Sequence, residues 1–140
     1  MTDEQTLVGR VSAHLGEVDF AVDLRAGKHR LLADEPSSHG GSDAGPGPFS
    51  LTLSGLAACT AITLRMYAQD KGWNLTAIDV RAQIFRQGAK FHIDRSISLR
   101  GEIDEAQTAR LLAVSEKTPV TLALKGGIEI RTVLDQPGGA

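Results

Sequence analysis

One thiol is available in this sequence: Cys59, set in the run GLAACTA. A free cysteine packs as a small hydrophobe unless a nearby cation lowers its pKa and makes it a nucleophile. Cys59 falls about three turns inside the helix that surrounds it, beyond the end turn where the macrodipole acts. A reactive Cys59 therefore needs a cation brought in from elsewhere. The four histidines, His14, His29, His39 and His92, have no metal-ligand spacing, so no metal and no cofactor are expected. The stretch from Gly40 to Gly47 lacks the lysine-Ser/Thr ending of a phosphate-binding loop and reads as a flexible rim. Asp34 and Glu35 read as a solvated loop pair. Arg65 lies in an otherwise apolar run, so it needs an acidic partner or an exit at an interface.

The elements that must position these groups follow from periodicity. Leu7, Val11 and Ala13 share one parity; after a turn at Leu15-Gly16, so do Val18, Phe20, Val22 and Leu24, with Asp19, Asp23 and Arg25 opposite. That is a half-exposed antiparallel hairpin, with a third short strand from His29 to Ala33. DEPSSHGGSDAGPG (34–47) is a loop by composition, and Pro48 suits the first turn of a helix. From Phe49 to about Lys71 apolar residues occupy nearly every side of the helical wheel, which predicts burial on all sides and a second subunit to help provide it. Gly72 stops this helix. Tyr67 and Trp73 read as packing anchors at its end. Ile78, Val80, Ala82 and Ile84 alternate, as do Phe91, Ile93, Ile97 and Leu99, joined by a turn at Gln87-Gly88-Ala89. Asp104 with Gln107 has capping-box spacing and opens a second helix that Pro119 breaks. Val120 to Leu124 leads to a last strand, Ile128 to Val133. The order βββ–α–ββ–α–β is that of an α+β protein.

A chain of 140 residues, 41% hydrophobic and 23% charged, fits one soluble globular domain spanning 1–140. A net charge of −2 without a basic cluster, and only 4% aromatics, argue against nucleic-acid binding. The acidic start MTDEQTLVGR is no secretory signal, no apolar run approaches the ~20 residues of a membrane span, and a single cysteine suits a reducing compartment. No membrane partner and a cytoplasmic location are expected.

The segment GPGPFSLTLSGLAACTAITLRMYAQDKGW resembles the central helix of the OsmC/Ohr family of osmotically inducible and organic hydroperoxide resistance proteins. The family pattern is a GP-x-P-(Y/F)-E-L entry, an A-C-(T/F) core and a YA-x-x-KGW exit. DEP and GG before the helix, the strand pair after it, and EKTPV followed by LKGGIEIRT extend the likeness over nearly the whole chain. The resemblance implies an OsmC-like fold, antiparallel sheets wrapped around a long buried central helix, in an intertwined homodimer. It also implies a thiol-dependent peroxidase that reduces organic hydroperoxides, with Cys59 as the attacking thiolate. In the family a second cysteine resolves the sulfenic acid, dithiol reductants such as lipoyl groups reopen the disulfide, and an arginine and a glutamate near the helix entry support the thiolate.

This chain departs from that pattern at three positions. Thr118 stands where the resolving cysteine is expected, and Ser50 where the glutamate is expected. The first hairpin turn has no arginine; His14 is the residue near that place, while Arg25, Arg30 or Arg65 could reach the site through the fold. Two functions follow. One is a one-cysteine peroxidase regenerated by an external thiol or lipoyl-type reductant. The other is a catalytically inactive OsmC-like dimer that binds a small apolar molecule or senses redox state, with Cys59 as a core residue.

Overall fold

The computed structural model describes residues 3–135. Along that span run β1 (Ser12–Leu15), β2 (Val22–Ala26), β3 (His29–Ala33), α1 (Pro48–Lys71), β4 (Asn74–Gln87), β5 (Lys90–Glu102), α2 (Glu105–Ser115) and α3 (Pro119–Gly126). Both sheets are antiparallel, one with the order β1-β2-β3 and one made of β4 and β5, so the protein is α+β as expected. The chain divides into two compact units, one ending at Ser54 and one beginning at Gly55.

In the first unit the hairpin is shorter than its alternation predicts. Pairing begins at Ser12, opposite Arg25, and Phe20 takes φ 69°, a left-handed conformation that interrupts any extended run before β2. The Phe20 ring lies against Gly40, where a β-carbon would stand 3.2 Å from Cε2. The loop after β3 is not a flexible rim but a packed turn around Asp34. That side chain is buried; Oδ1 accepts from the Glu35 amide at 2.7 Å, and Oδ2 from Ser42 and Ala44 at 3.2 and 3.1 Å. These donors, the Ala44 amide foremost, hold its carboxyl below the usual carboxylate range. Only glycine fits at position 41, where a β-carbon would meet the Glu35 carbonyl oxygen at 2.0 Å. Asp34 is thus a structural anion, not a solvated partner of Glu35.

The second unit is built on the long β4–β5 hairpin. Gln87 pairs with Lys90 across a two-residue loop in which Gly88 supplies φ 62°, the conformation a tight hairpin turn demands of its first central residue. At the other end the register shifts between Leu75 and Ala77. Arg65 clamps this bulge: its Nη1 and Nη2 donate to the Leu75 and Thr76 carbonyls at 2.8 and 3.1 Å. Its partners are bulge carbonyls, not the acidic group expected.

Inward positions of the hairpin face α1. Four residues of helix rise about 6 Å and two residues of strand about 6.6–6.8 Å, so a stripe at i, i+4, i+8 keeps step with alternate strand residues. Leu56, Thr60, Leu64 and Ala68 form that stripe and are the buried residues of α1. Leu64 and Ala68 make the core with Leu75 and Leu111, with Ile78, Ile97, Leu99, Tyr67 and Trp73 packed against it. The anchoring role expected for Tyr67 and Trp73 holds. The capping box that opens α2 is present, with Asp104 and Gln107 each accepting from the other's backbone amide at 2.8 and 2.9 Å.

Within one chain α1 is covered along one stripe; Ile62 and Met66 are 54% and 63% exposed, because one hairpin with its following helices reaches only one side of a cylinder. By length and composition alone the same helix is apolar enough to cross a membrane, a test that the core helix of a soluble protein passes as well. One expectation is corrected: the segment after Pro119 is a helix, since proline fits the first helical position, where no amide partner is needed. Residues 128–135 have no strand pairing, and Ile128, Ile130 and Val133 are exposed. The observed order is βββ–α–ββ–α–α.

Candidate functional site

The polar centre of the second unit is Arg95. It occupies an inward position of β5, in phase with Ile93, Ile97 and Leu99, and opposite the small Ala82 of β4. A cation on that face must be paired, because leaving it unpaired in an apolar setting is costly. Its side chain is 11% exposed. Nη1 donates to Thr60 Oγ1 and Thr121 Oγ1, both at 2.9 Å; Nη2 donates to the Ser115 carbonyl at 3.0 Å and reaches Glu116 Oε2 at 3.4 Å. Arginine can only donate, so the Thr60 hydroxyl accepts from it and donates its own hydrogen to the Leu56 carbonyl in a 2.7 Å hydrogen bond. Thr118 and Thr121 are linked through their hydroxyls at 2.6 Å. Four elements of structure therefore converge on one guanidinium: α1 through Thr60, β5, the end of α2, and α3 through Thr121.

Thr118, at the expected resolving position, is fully buried and forms the N-cap residue of α3. Its hydroxyl supports Thr121 and so belongs to the Arg95 network. Cys59 precedes Thr60 on α1 and is half-buried; the hydrogen-bonding partner of its sulfur among the described residues is the Thr63 hydroxyl at 3.9 Å. The other two predicted residues belong to the first unit, and their contacts are local. His14 is exposed on β1 opposite Asp23, and the Ser50 carbonyl accepts from Ser54 Oγ at 2.7 Å. Arg30 is committed to Asp23 at 2.7 Å; its hydrogen bond is the main cause that lowers the Asp23 pKa. Arg65 is committed to the bulge. Among the described residues no group of three or more His, Cys, Asp or Glu could hold a metal ion.

Beside Arg95 opens a cleft of about 750 Å³. Its apolar wall comes from Leu56, Ile84, Phe91, Ile93 and Leu124, its polar end from Arg95, Thr121, Glu116 and Lys125, with His92 and Asp94 at the margin. Glu116 is shared there by two cations. Lys125 Nζ donates to Oε1, the main cause that holds the Glu116 carboxyl below its ordinary range, and Arg95 adds to it from the other oxygen. The cleft does not include Cys59. The signal that could have found this site is a single break in a pattern: in the alternation Phe91, Ile93, Ile97, Leu99, the residue omitted from the inward parity is Arg95.

Residues 40–133 match the family model described as OsmC-like protein. No curated protein matches the chain in sequence. Solved structures share its fold. An OsmC like protein from Mycoplasma pneumoniae superposes with a TM-score of 0.75 at 20% identity, covering 89% of this chain and 90% of that one. An organic hydroperoxide resistance protein OsmC from Legionella pneumophila gives 0.63 at 19% identity over 88% and 93%. The organic hydroperoxide resistance protein OhrB of Bacillus subtilis gives 0.60 at 19% identity over 86% and 92%. At these identities the likeness establishes the fold.

Proposed function

The chain belongs to the OsmC-like protein family, and from that premise we propose that it is a one-cysteine, thiol-dependent peroxidase that reduces organic hydroperoxides through Cys59. The observation that carries this reading is the state of Cys59: half-buried on the flank of α1, beside the stripe that fixes the helix, with its sulfur bound among the described residues by the Thr63 hydroxyl alone. Relatives of the same fold named for organic hydroperoxide resistance support the substrate class. In the reaction the Cys59 thiolate attacks the terminal peroxide oxygen, the O–O bond breaks, and the alkoxide leaves as the alcohol after taking a proton. Cys59 becomes a sulfenic acid. With Thr118 in place of a second cysteine, an external thiol or lipoyl-type dithiol attacks that sulfur and releases water. A second thiol then frees Cys59 and departs as the disulfide.

The working unit of this reading is a homodimer in the cytoplasm. The uncovered Ile62 and Met66 on α1 and the unpaired apolar segment from Ile128 to Val133 favour a second copy as their cover. A reducing compartment keeps the lone thiol available. A second reading, an OsmC-like binding or redox-sensing dimer with Cys59 as a core residue, is favoured by the absence of Cys59 from the cleft and of any cation among its described partners.

The test is to expose the intact protein to cumene hydroperoxide, trap sulfenate with a dimedone reagent, and follow thiol-dependent peroxide loss. The peroxidase predicts a Cys59 adduct and turnover that Cys59→Ser abolishes. No adduct after prolonged exposure, or unchanged peroxide loss in Cys59→Ser, leaves the binding or sensing dimer as the function.

A further inference from the structure

The Arg95 network ends in an imperfect pairing. A guanidinium bonded to a carboxylate normally sits about 2.7–2.9 Å from it and often binds it through two parallel bonds. Arg95 reaches Glu116 through one nitrogen at 3.4 Å, while Thr60, Thr121 and the Ser115 carbonyl satisfy it closely. The Glu116 side chain is itself 56% exposed and divided between Arg95 and Lys125. A long contact to a side chain that is largely exposed is a weak claim on a cation that is itself 11% exposed. Asp94, the other carboxylate on the cleft, belongs to the outward parity of β5 and lies 3.9 Å from His92 Nε2. The polar end of the cleft therefore presents two cations held together by one displaceable carboxylate.

Away from that end the wall is aliphatic and aromatic, and the volume of about 750 Å³ lies in the range of small-molecule sites, roughly 300–1,000 Å³. We propose that this cleft is a binding site for amphipathic monocarboxylates: the ligand carboxylate takes the place of Glu116 between Arg95 and Lys125, and its hydrocarbon tail lies along Leu56, Ile84, Ile93 and Leu124. Glu116 is the built-in competitor that keeps the cations paired when the site is empty. The cleft excludes Cys59, so the proposal stands apart from any turnover at that residue.

The test is titration of the full-length protein, and of Cys59→Ser, with octanoate and with 1-octanol as the uncharged control, followed by calorimetry or amide NMR. Saturable one-to-one binding of octanoate is expected in both proteins, with shifts at Arg95, Thr121 and Lys125 and with octanol about tenfold weaker or more. Glu116→Gln removes the competitor and should tighten octanoate binding about three- to fivefold; Lys125→Ala, at an exposed position, should weaken it by a similar factor. Equal affinity for octanol, non-saturable uptake, or a Glu116→Gln variant that binds octanoate no better than the parent overturns the proposal. Because the readout is binding, loss of peroxidase activity in Cys59→Ser leaves the result unaffected.

Discussion

Thr60→Val removes the hydrogen bond that joins α1 to the Arg95 network, together with the hydroxyl's own bond to the Leu56 carbonyl, while preserving side-chain shape. Thr60 is fully buried, and its hydroxyl accepts from Arg95 Nη1 at 2.9 Å. Valine leaves one guanidinium N–H without its acceptor at the fully buried position 60. A lost hydrogen bond to a charged group costs about 1.5–3 kcal/mol, and the extra apolar methyl returns about 0.8 kcal/mol, so a net loss of roughly 1–2 kcal/mol is expected. For a chain of this size that lowers Tm by about 3–8 °C. Thr60→Ser keeps the hydroxyl and removes only a methyl, so it should lose about 1 kcal/mol through the small cavity. Urea denaturation of both variants at one fixed protein concentration, with 15N chemical shifts of the Arg95 side chain, provides the assay; concentration is held constant because self-association would shift the midpoint. A valine variant as stable as the serine variant, with the Arg95 resonances unmoved, would refute the assignment of Thr60 as the arginine's acceptor.

Two further outcomes follow from the geometry. Asp34→Asn should lower Tm at neutral pH, since an amide offers one acceptor oxygen to three backbone donors. Because the Asp34 pKa is lowered in the folded protein, its contribution is present above the unfolded value of about 3.9 and lost as pH falls through the folded one, so the two melting curves should converge in acid and stay apart at pH 7. Gly101→Ala puts a β-carbon 2.0 Å from the Asn74 carbonyl oxygen at φ 139°, and a loss of roughly 1–3 kcal/mol or more is expected in urea unfolding; an unchanged midpoint would contradict the bulge geometry.

The limits of α1 and the β4–β5 hairpin were legible because each depends on local chemistry: Pro48 and Gly72 at the helix ends, and alternation closed by Gly88 in the hairpin. The capping box at Asp104 was legible for the same reason. Arg95 escaped because parity counting collects apolar residues and skips the one that breaks the series, although that exception holds four elements together. Asp34 escaped because loop composition reports polarity and says nothing of enclosure; its burial depends on glycines at 41 and 45 that let backbone approach backbone. Pro119 shows how one residue type ends one helix and begins another. The Ile128–Val133 alternation describes the face a strand would present, but pairing needs a neighbour with free backbone groups, and the described chain supplies none there. For Cys59 the sequence located the thiol, and the structure adds the Thr63 hydroxyl as the partner of its sulfur among the described residues.

The hairpin is pinned at both ends, by the Gly88 turn and by the bulge opposite Gly101, and that double constraint governs the chemistry of the cleft. Strand side chains alternate, so a slip of one residue in β5 would exchange its two faces. Arg95 would swing to solvent, and Asp94 or Ser96 would enter the core opposite Thr60, turning a cationic pocket into an acidic or neutral one. Two glycines with no side chain of their own thus select the sign of the charge that the cleft presents.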